Sequence, residues 1–213
     1  MSKSPSTRAR PGRPRSEAPA AYAAIMDAVH ALLQEKSVRD LTMEAIAKRA
    51  KVGKPTLYKW WPSKAALVLA MFNERLAGAD HFPPARSAEA ALRAKVRKLT
   101  ASLKGDFGKV MADLIAEGQS EPEVLRDLFD QHVSVRRAAA VADIRRGQAA
   151  GEIAADVDPE LMIDGMIGPI YFRLLMQHAP LTQEFGQNIV SQVLRGVRPS
   201  GPWGYGRTPG AFQ

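Results

Sequence analysis

Residues 42–64 read T-M-E-A-I-A-K-R-A-K-V-G-K-P-T-L-Y-K-W-W-P-S-K. Met43, Ile46, Ala47 and Ala50 recur at helical spacing and give one apolar face to a short helix. Thr42 stands just ahead of it as an N-cap, although Glu44 comes one residue early for a capping box. A second short helix follows Gly53 and stops at Pro62, because proline cannot continue a helix. Ser63 can cap a third, over about 64–77. Two short helices joined by Lys51-Val52-Gly53 have the spacing of a helix-turn-helix.

In that motif the first helix crosses a DNA backbone, and the second enters a major groove with its N-terminal residues at the base edges. Lys54, Pro55 and Thr56 open the second helix, where free N–H groups and the helix dipole favour a phosphate. Thr56 suits a base edge or a thymine methyl. Tyr58 and Lys59 can reach phosphates or the groove wall, and Lys64 starts the next helix beside another anion-favouring N-terminus. Leu57 and one or both of Trp60 and Trp61 are expected to pack inward. A small three-helix bundle with a solvated basic face would show the same spacing.

Charge separates these readings. The 213 residues carry a net +8, but residues 1–64 hold 13 Lys/Arg against 5 Asp/Glu, while residues 65–213 hold 17 of each. A basic headpiece on a neutral body points to a two-part protein whose first part meets a polyanion. Residues 1–17 carry Lys3, Arg8, Arg10, Arg13 and Arg15 with three prolines, and read as a flexible basic arm.

Helical periodicity continues through the rest of the chain, with no strand alternation. Ile25, Ala28, Val29, Leu32 and Leu33 mark a first helix ahead of the motif. After His81-Phe82-Pro83-Pro84, a linker, Ser87 can cap a helix to about Lys104, and another covers about 107–118. Pro122 suits the first turn of a long helix, about 122–149, with Leu125, Leu128, Phe129, His132 and Val135 on one face. Asp158-Pro159 starts a helix to about 178, and a last one covers about 182–196. The expectation is an all-α fold of about nine helices. A helix-turn-helix domain covers 18–66, a helical ligand-binding and dimerisation domain 67–197, and a disordered tail 198–213.

The motif also resembles the TetR/AcrR family of bacterial transcriptional repressors. Thr42, Ile46, Ala47, Ala50, Val52, Thr56, Leu57, Tyr58, Trp61, Lys64 and Leu67 stand in step with the family pattern, and Gly12–Arg15 (G-R-P-R) resembles the arm of many members. The match covers about residues 12–72. The stretch from Asp156 to Leu175 resembles the ligand-domain signature of one subgroup. Lys51 stands where the family usually has Gly, and Gly53 where it usually has Ser. A non-Gly residue at positive φ carries a cost, so the turn is expected to be reshaped.

What the resemblance implies is a homodimeric repressor released from a palindromic DNA operator by a small-molecule effector. Arg13, Arg15, Thr42, Lys54, Pro55, Thr56, Tyr58, Lys59 and Lys64 would then face DNA. Dimerisation would use the last two helices, with Ile189, Val190, Val193, Leu194 and Val197 as the apolar stripe. Such a stripe is equally the mark of ordinary core. Pocket candidates are Phe107, Met111, Leu114, Phe129, Met166, Ile170, Tyr171 and Met176, each of which also suits plain core. His132 reads as a satisfied core histidine, and Arg173 as a partner for backbone or Asp.

Other classes fare worse. With no cysteine, disulfide scaffolds, thiol catalysis and thiolate metal sites are excluded. The four histidines are scattered, no H-E-x-x-H or G-x-S-x-G occurs, and no metal or cofactor is expected. No apolar run approaches the roughly 18 residues of a membrane span, and the chain reads as cytoplasmic. The rival readings are a non-specific, nucleoid-type nucleic-acid-binding protein and an enzyme with a spatially assembled site. The neutral body speaks against the first.

Overall fold

Apolar residues at helical spacing, punctuated by capping side chains, fold as helices throughout the residues described by the computed structural model, 19–77 and 85–198. The elements are α1 (Pro19–Glu35), α2 (Met43–Ala50), α3 (Lys54–Trp60), α4 (Lys64–Ala77), α5 (Ala88–Ser102), α6 (Asp106–Gly118), α7 (Pro122–Leu128), a π-helical turn (Phe129–Val133), α8 (Ser134–Ala149), α9 (Pro159–Met176) and α10 (Gln183–Val197). Because α7, the π turn and α8 run on without a break, the described residues form nine helical rods and no strand.

The capping residues hold the starts. Thr42 Oγ1 accepts from the Ala45 N–H, Ser87 Oγ from Ala90, Asp158 Oδ1 from Glu160 and Thr182 Oγ1 from Phe185, at 2.9–3.1 Å. Each such cap contributes about 1 kcal/mol by satisfying an otherwise orphaned donor.

The chain forms two compact units. One contains α1–α4 together with α6, α7 and the π turn; the other contains α5, all but the start of α8, and α9 and α10. In the first unit α4 is apolar almost all round, and Ala65–Leu69, Met71 and Phe72 are buried, as befits a helix enclosed by its neighbours. In the second, α10 packs along α5 and on α9, and its Ile189, Val190 and Leu194 are buried. Arg173 donates to the Pro180 carbonyl at 3.1 Å and lies over the Phe185 ring. The basic arm with Arg13 and Arg15, the linker at 81–84 and the tail beyond Arg198 lie outside the described residues.

The long rod departs from its expected face. Val124, Leu128 and His132 point inward, but Phe129 and Val135 are about half exposed. Phe129, at the first position of the π turn, stands one helical step beyond the buried Leu128 and so already off the inward face. For Val135, which follows it, the reason is the π turn, in which the Ser134 N–H reaches back five residues to the Phe129 carbonyl. One extra residue per turn rotates everything after it and breaks a stripe counted at 3.6. The turn also brings His132 Nδ1 to 2.8 Å from Asn73 Oδ1 on α4, while Asn73 Nδ2 donates to the Gln131 carbonyl.

The α2–α3 corner is a Schellman turn. Val52 N–H bonds the Ala47 carbonyl at 3.0 Å, Lys51 N–H bonds Lys48, and Lys51 itself sits at φ 54°, ψ 40°. Gly53, by contrast, caps α3 in ordinary extended backbone at φ −73°. The strained position therefore holds a lysine, and the glycine stands where its freedom is not used. Lys51→Gly is expected to stabilise the fold by about 0.5–1 kcal/mol in denaturant unfolding; an unchanged or lowered midpoint would mean the left-handed lysine carries no strain.

Candidate nucleic-acid interface

The pose of α3 follows from what its inner face buries. Leu57 is fully buried and Trp61, just past the helix, nearly so. Trp60 is half-buried; it meets Trp61 edge-to-face at 5.5 Å, and Tyr22 on α1 lies 5.6 Å from Trp61 and 6.3 Å from Trp60. This aromatic cluster pins α3 to α1, because such pairs add to plain area burial. Lys54, Pro55, Tyr58 and Lys59 are left on the exposed face, with Thr56 half-buried beside them. Tyr58 is 55% exposed, unusual for an aromatic with no role in packing.

The cations of this face are not isolated. Lys54 Nζ lies 2.7 Å from Glu44 Oε1 on α2, and that hydrogen bond and charge hold the Glu44 carboxyl below its ordinary range. Both groups are well exposed, so a phosphate can displace the pair at small cost. Lys64 is held more firmly. Its ammonium lies 2.8 Å from Glu117 Oε1 on α6 and donates to the Arg39 carbonyl at 3.2 Å, with side chains only 22% and 13% exposed for Lys64 and Glu117. Next to it, Ser63 Oγ caps α4 through the Ala66 N–H and donates to Asp127 on α7. Thr42 faces solvent, its oxygen engaged as the α2 cap. Glu44 and Glu117, the acids that govern these lysines, were not among the candidate residues. Glu44 carries a readable signal in its place on the helix preceding Lys54, whereas Glu117 has none.

The pocket candidates divide between the two units. Phe107, Met111 and Leu114 belong to the core of the first unit, and Met166 and Ile170 to that of the second. Tyr171 is half-buried, and desolvation raises its hydroxyl pKa above the ordinary value. Phe129 and Met176 are exposed, the first at the opening position of the π turn, the second at the last position of α9. A cavity of about 610 Å³ does open in the second unit, between α5 and α8. Its walls include Ala90, Ala94, Lys95, Lys98, Asp143 and Arg146, and none of the eight candidates. The expected dimer stripe is corrected too. Ile189, Val190 and Leu194 are buried within the chain, where α10 packs on both α5 and α9, and Val193 and Val197 are half-buried. In the second unit the exposed large apolar side chains lie instead on α9.

Comparison with known proteins places this geometry. Residues 25–71 match the model of bacterial regulatory proteins of the tetR family, and residues 82–193 match the tetracyclin repressor-like C-terminal domain. The chain is 31% identical to the HTH-type transcriptional regulator YdeS of Bacillus subtilis over 187 residues, covering 88% of this chain and 93% of that protein. It is 26% identical to the HTH-type transcriptional regulator UidR of Escherichia coli over 157 residues, 68% of this chain and 74% of UidR. Among solved structures, the TetR family transcription regulator SCO0332 superimposes with a TM-score of 0.70 at 32% identity, over 84% of this chain and 99% of that one.

Thr56 and Lys54 of α3 should behave differently on DNA. Thr56→Ala is expected to weaken binding to a selected site by about 1–3 kcal/mol while leaving a random duplex nearly unaffected. Lys54→Ala should weaken both and reduce the salt slope by about 0.9, one phosphate contact. Fluorescence anisotropy across a salt series separates them; equal loss for Thr56→Ala on both duplexes would remove Thr56 from base readout.

Proposed function

The chain belongs to the TetR family of bacterial transcriptional regulators, and from that premise we propose that it is a cytoplasmic, homodimeric repressor that leaves a palindromic operator when a small-molecule effector binds. DNA binding and regulation of transcription come with the family; the dimer, the palindrome and the effector are the reading argued here.

The observation that carries the dimer is the outer face of α9. Leu161 is 70% exposed and Phe172 59%, and Leu175 and Met176 are exposed near the end of the same helix. Gly165 and Gly168 fall on that side, spaced with Leu161, Phe172 and Leu175 at four, three, four and three residues. A Cβ on Gly168 would meet nothing, and one on Gly165 only Val193 at 4.0 Å. A contiguous apolar face of this kind marks an interface. Its glycines let a second helix approach closely, and a two-fold axis lets the same face serve both partners. Dimerisation gives two copies of α3, which can read successive major-groove faces when they stand about 34–36 Å apart.

Release needs no more than a ligand that prefers a conformer with the headpieces displaced, a coupling of about 1–3 kcal/mol. The cavity between α5 and α8 is in the size range of small-molecule sites. Lys95, Lys98 and Arg146 around the buried Asp143 give it a polar wall suited to an anionic ligand.

Replacing both Leu161 and Phe172 by Glu places charges on the α9 face without touching the core. Sedimentation is expected to show the wild-type chain as a dimer and the variant as a monomer, with operator affinity lowered roughly a hundredfold as the two half-sites stop acting together. A variant that remains dimeric would move the interface elsewhere.

A further inference from the structure

The Lys64–Glu117 pair does more than hold two helices together. It occupies a cation at the exit of the helix-turn-helix, where the reading above puts a phosphate. The pair is also imperfect. Glu117 Oε1 receives the Lys64 ammonium, but Oε2 is buried with no hydrogen-bond partner. A carboxylate oxygen left unsatisfied away from water raises the energy of the state that contains it. A desolvated ion pair with such a defect is a weak source of stability.

Glu117 also stands at a closely packed corner. It is followed by Gly118, the last residue of α6, where a Cβ would come within 2.4 Å of Leu125 Cγ and 3.2 Å of the Leu125 backbone nitrogen on α7. The α6–α7 corner is thus closely packed and carries the carboxylate as part of a stiff element. From the same side Asp127 on α7 accepts a hydrogen bond from Ser63 Oγ at 3.1 Å. Two carboxylates of this corner therefore engage the two residues, Ser63 and Lys64, at the N-terminus of α4.

We propose that Glu117 is a positioning residue for DNA binding: from the end of α6 it holds the Lys64 ammonium back, and a backbone phosphate competes with it for that cation. The proposal rests on the DNA-binding reading of Lys64. When Lys64 turns to a phosphate, Glu117 loses its counter-charge, so the α6–α7 corner must shift or admit water. By linkage, anything that shifts the corner away from Lys64 strengthens DNA binding, and anything that presses it closer weakens binding. The corner thereby sets how available one DNA-facing cation is.

The test uses the full chain and a labelled random-sequence duplex across a salt series. Glu117→Gln keeps size and a hydrogen-bond acceptor but removes the charge. It is expected to bind roughly threefold to tenfold tighter than wild type at low salt, because Lys64 no longer leaves a charged partner to reach the phosphate, with a salt slope steeper by a fraction of the roughly 0.9 of one full contact, which the wild type already makes in part. In a Lys64→Ala background the same substitution should change neither quantity. Should Glu117→Gln unfold, Glu117→Asp retains the charge and draws it back by one methylene; it is expected to tighten binding in the same direction by less. Unchanged or weaker binding by a folded Glu117 variant overturns the proposal, since a merely structural pair would give that result. A wild-type chain that binds no duplex would instead sink the DNA-binding reading itself, and a wild type that binds with Lys64→Ala unaffected would remove Lys64 from the interface.

Discussion

Everything the headpiece can present to DNA depends on burying Leu57 and Trp61. At seven residues, α3 is far too short to persist as an isolated helix, whose nucleation cost is recovered only over a dozen or more residues. Its conformation is imposed by the core below and by the corner before it. Leu57 sits among the enclosed residues of the first unit, Trp61 and Trp60 meet Tyr22, and the Schellman bonds from Val52 and Lys51 fix where α2 ends. With those contacts in place, Lys54, Tyr58 and Lys59 have no inward direction left. The exposed face of α3 is the complement of what it buries.

A second constraint acts on charge. The headpiece is strongly basic in sequence, but in the folded chain its lysines are answered by acids: Glu44 for Lys54 and Glu117 for Lys64. DNA binding at this surface is thus an exchange of partners rather than the capture of a phosphate by a free cation. The two exchanges differ in kind. The Lys54 pair is solvated and its attraction screened. The Lys64 pair is mostly desolvated, touches a backbone carbonyl, and involves an element that packs closely on α7. Only the second ties a cation of the headpiece to the α6–α7 corner of the same unit.

Much of this was legible in the sequence, and the exceptions have physical causes. Helix starts were read well where a side chain caps them, at Thr42, Ser87 and Asp158, because capping is a local interaction between neighbours in the chain. The strain at Lys51 was legible for the same reason. The π turn was not, since an inserted residue leaves the composition unchanged and alters only the phase; Val135, beyond the turn, was therefore placed on the wrong face. The apolar stripe of α10 was legible as a stripe but not as to its partner. Periodicity states that Ile189, Val190 and Leu194 will be covered, not by what, and helices of the same chain cover them. Glu117 is a pairing across distant segments, which no local pattern announces.

The central claim is that two copies of α3, held by their aromatic cluster, read one face of a duplex. Selection of bound sequences from a random duplex library by the full-length protein tests it most directly. The account predicts an enriched site of two-fold symmetry, with half-site centres about one helical turn, 10–10.5 base pairs, apart. Recovery of no enriched sequence, or of a single half-site without symmetry, would contradict it.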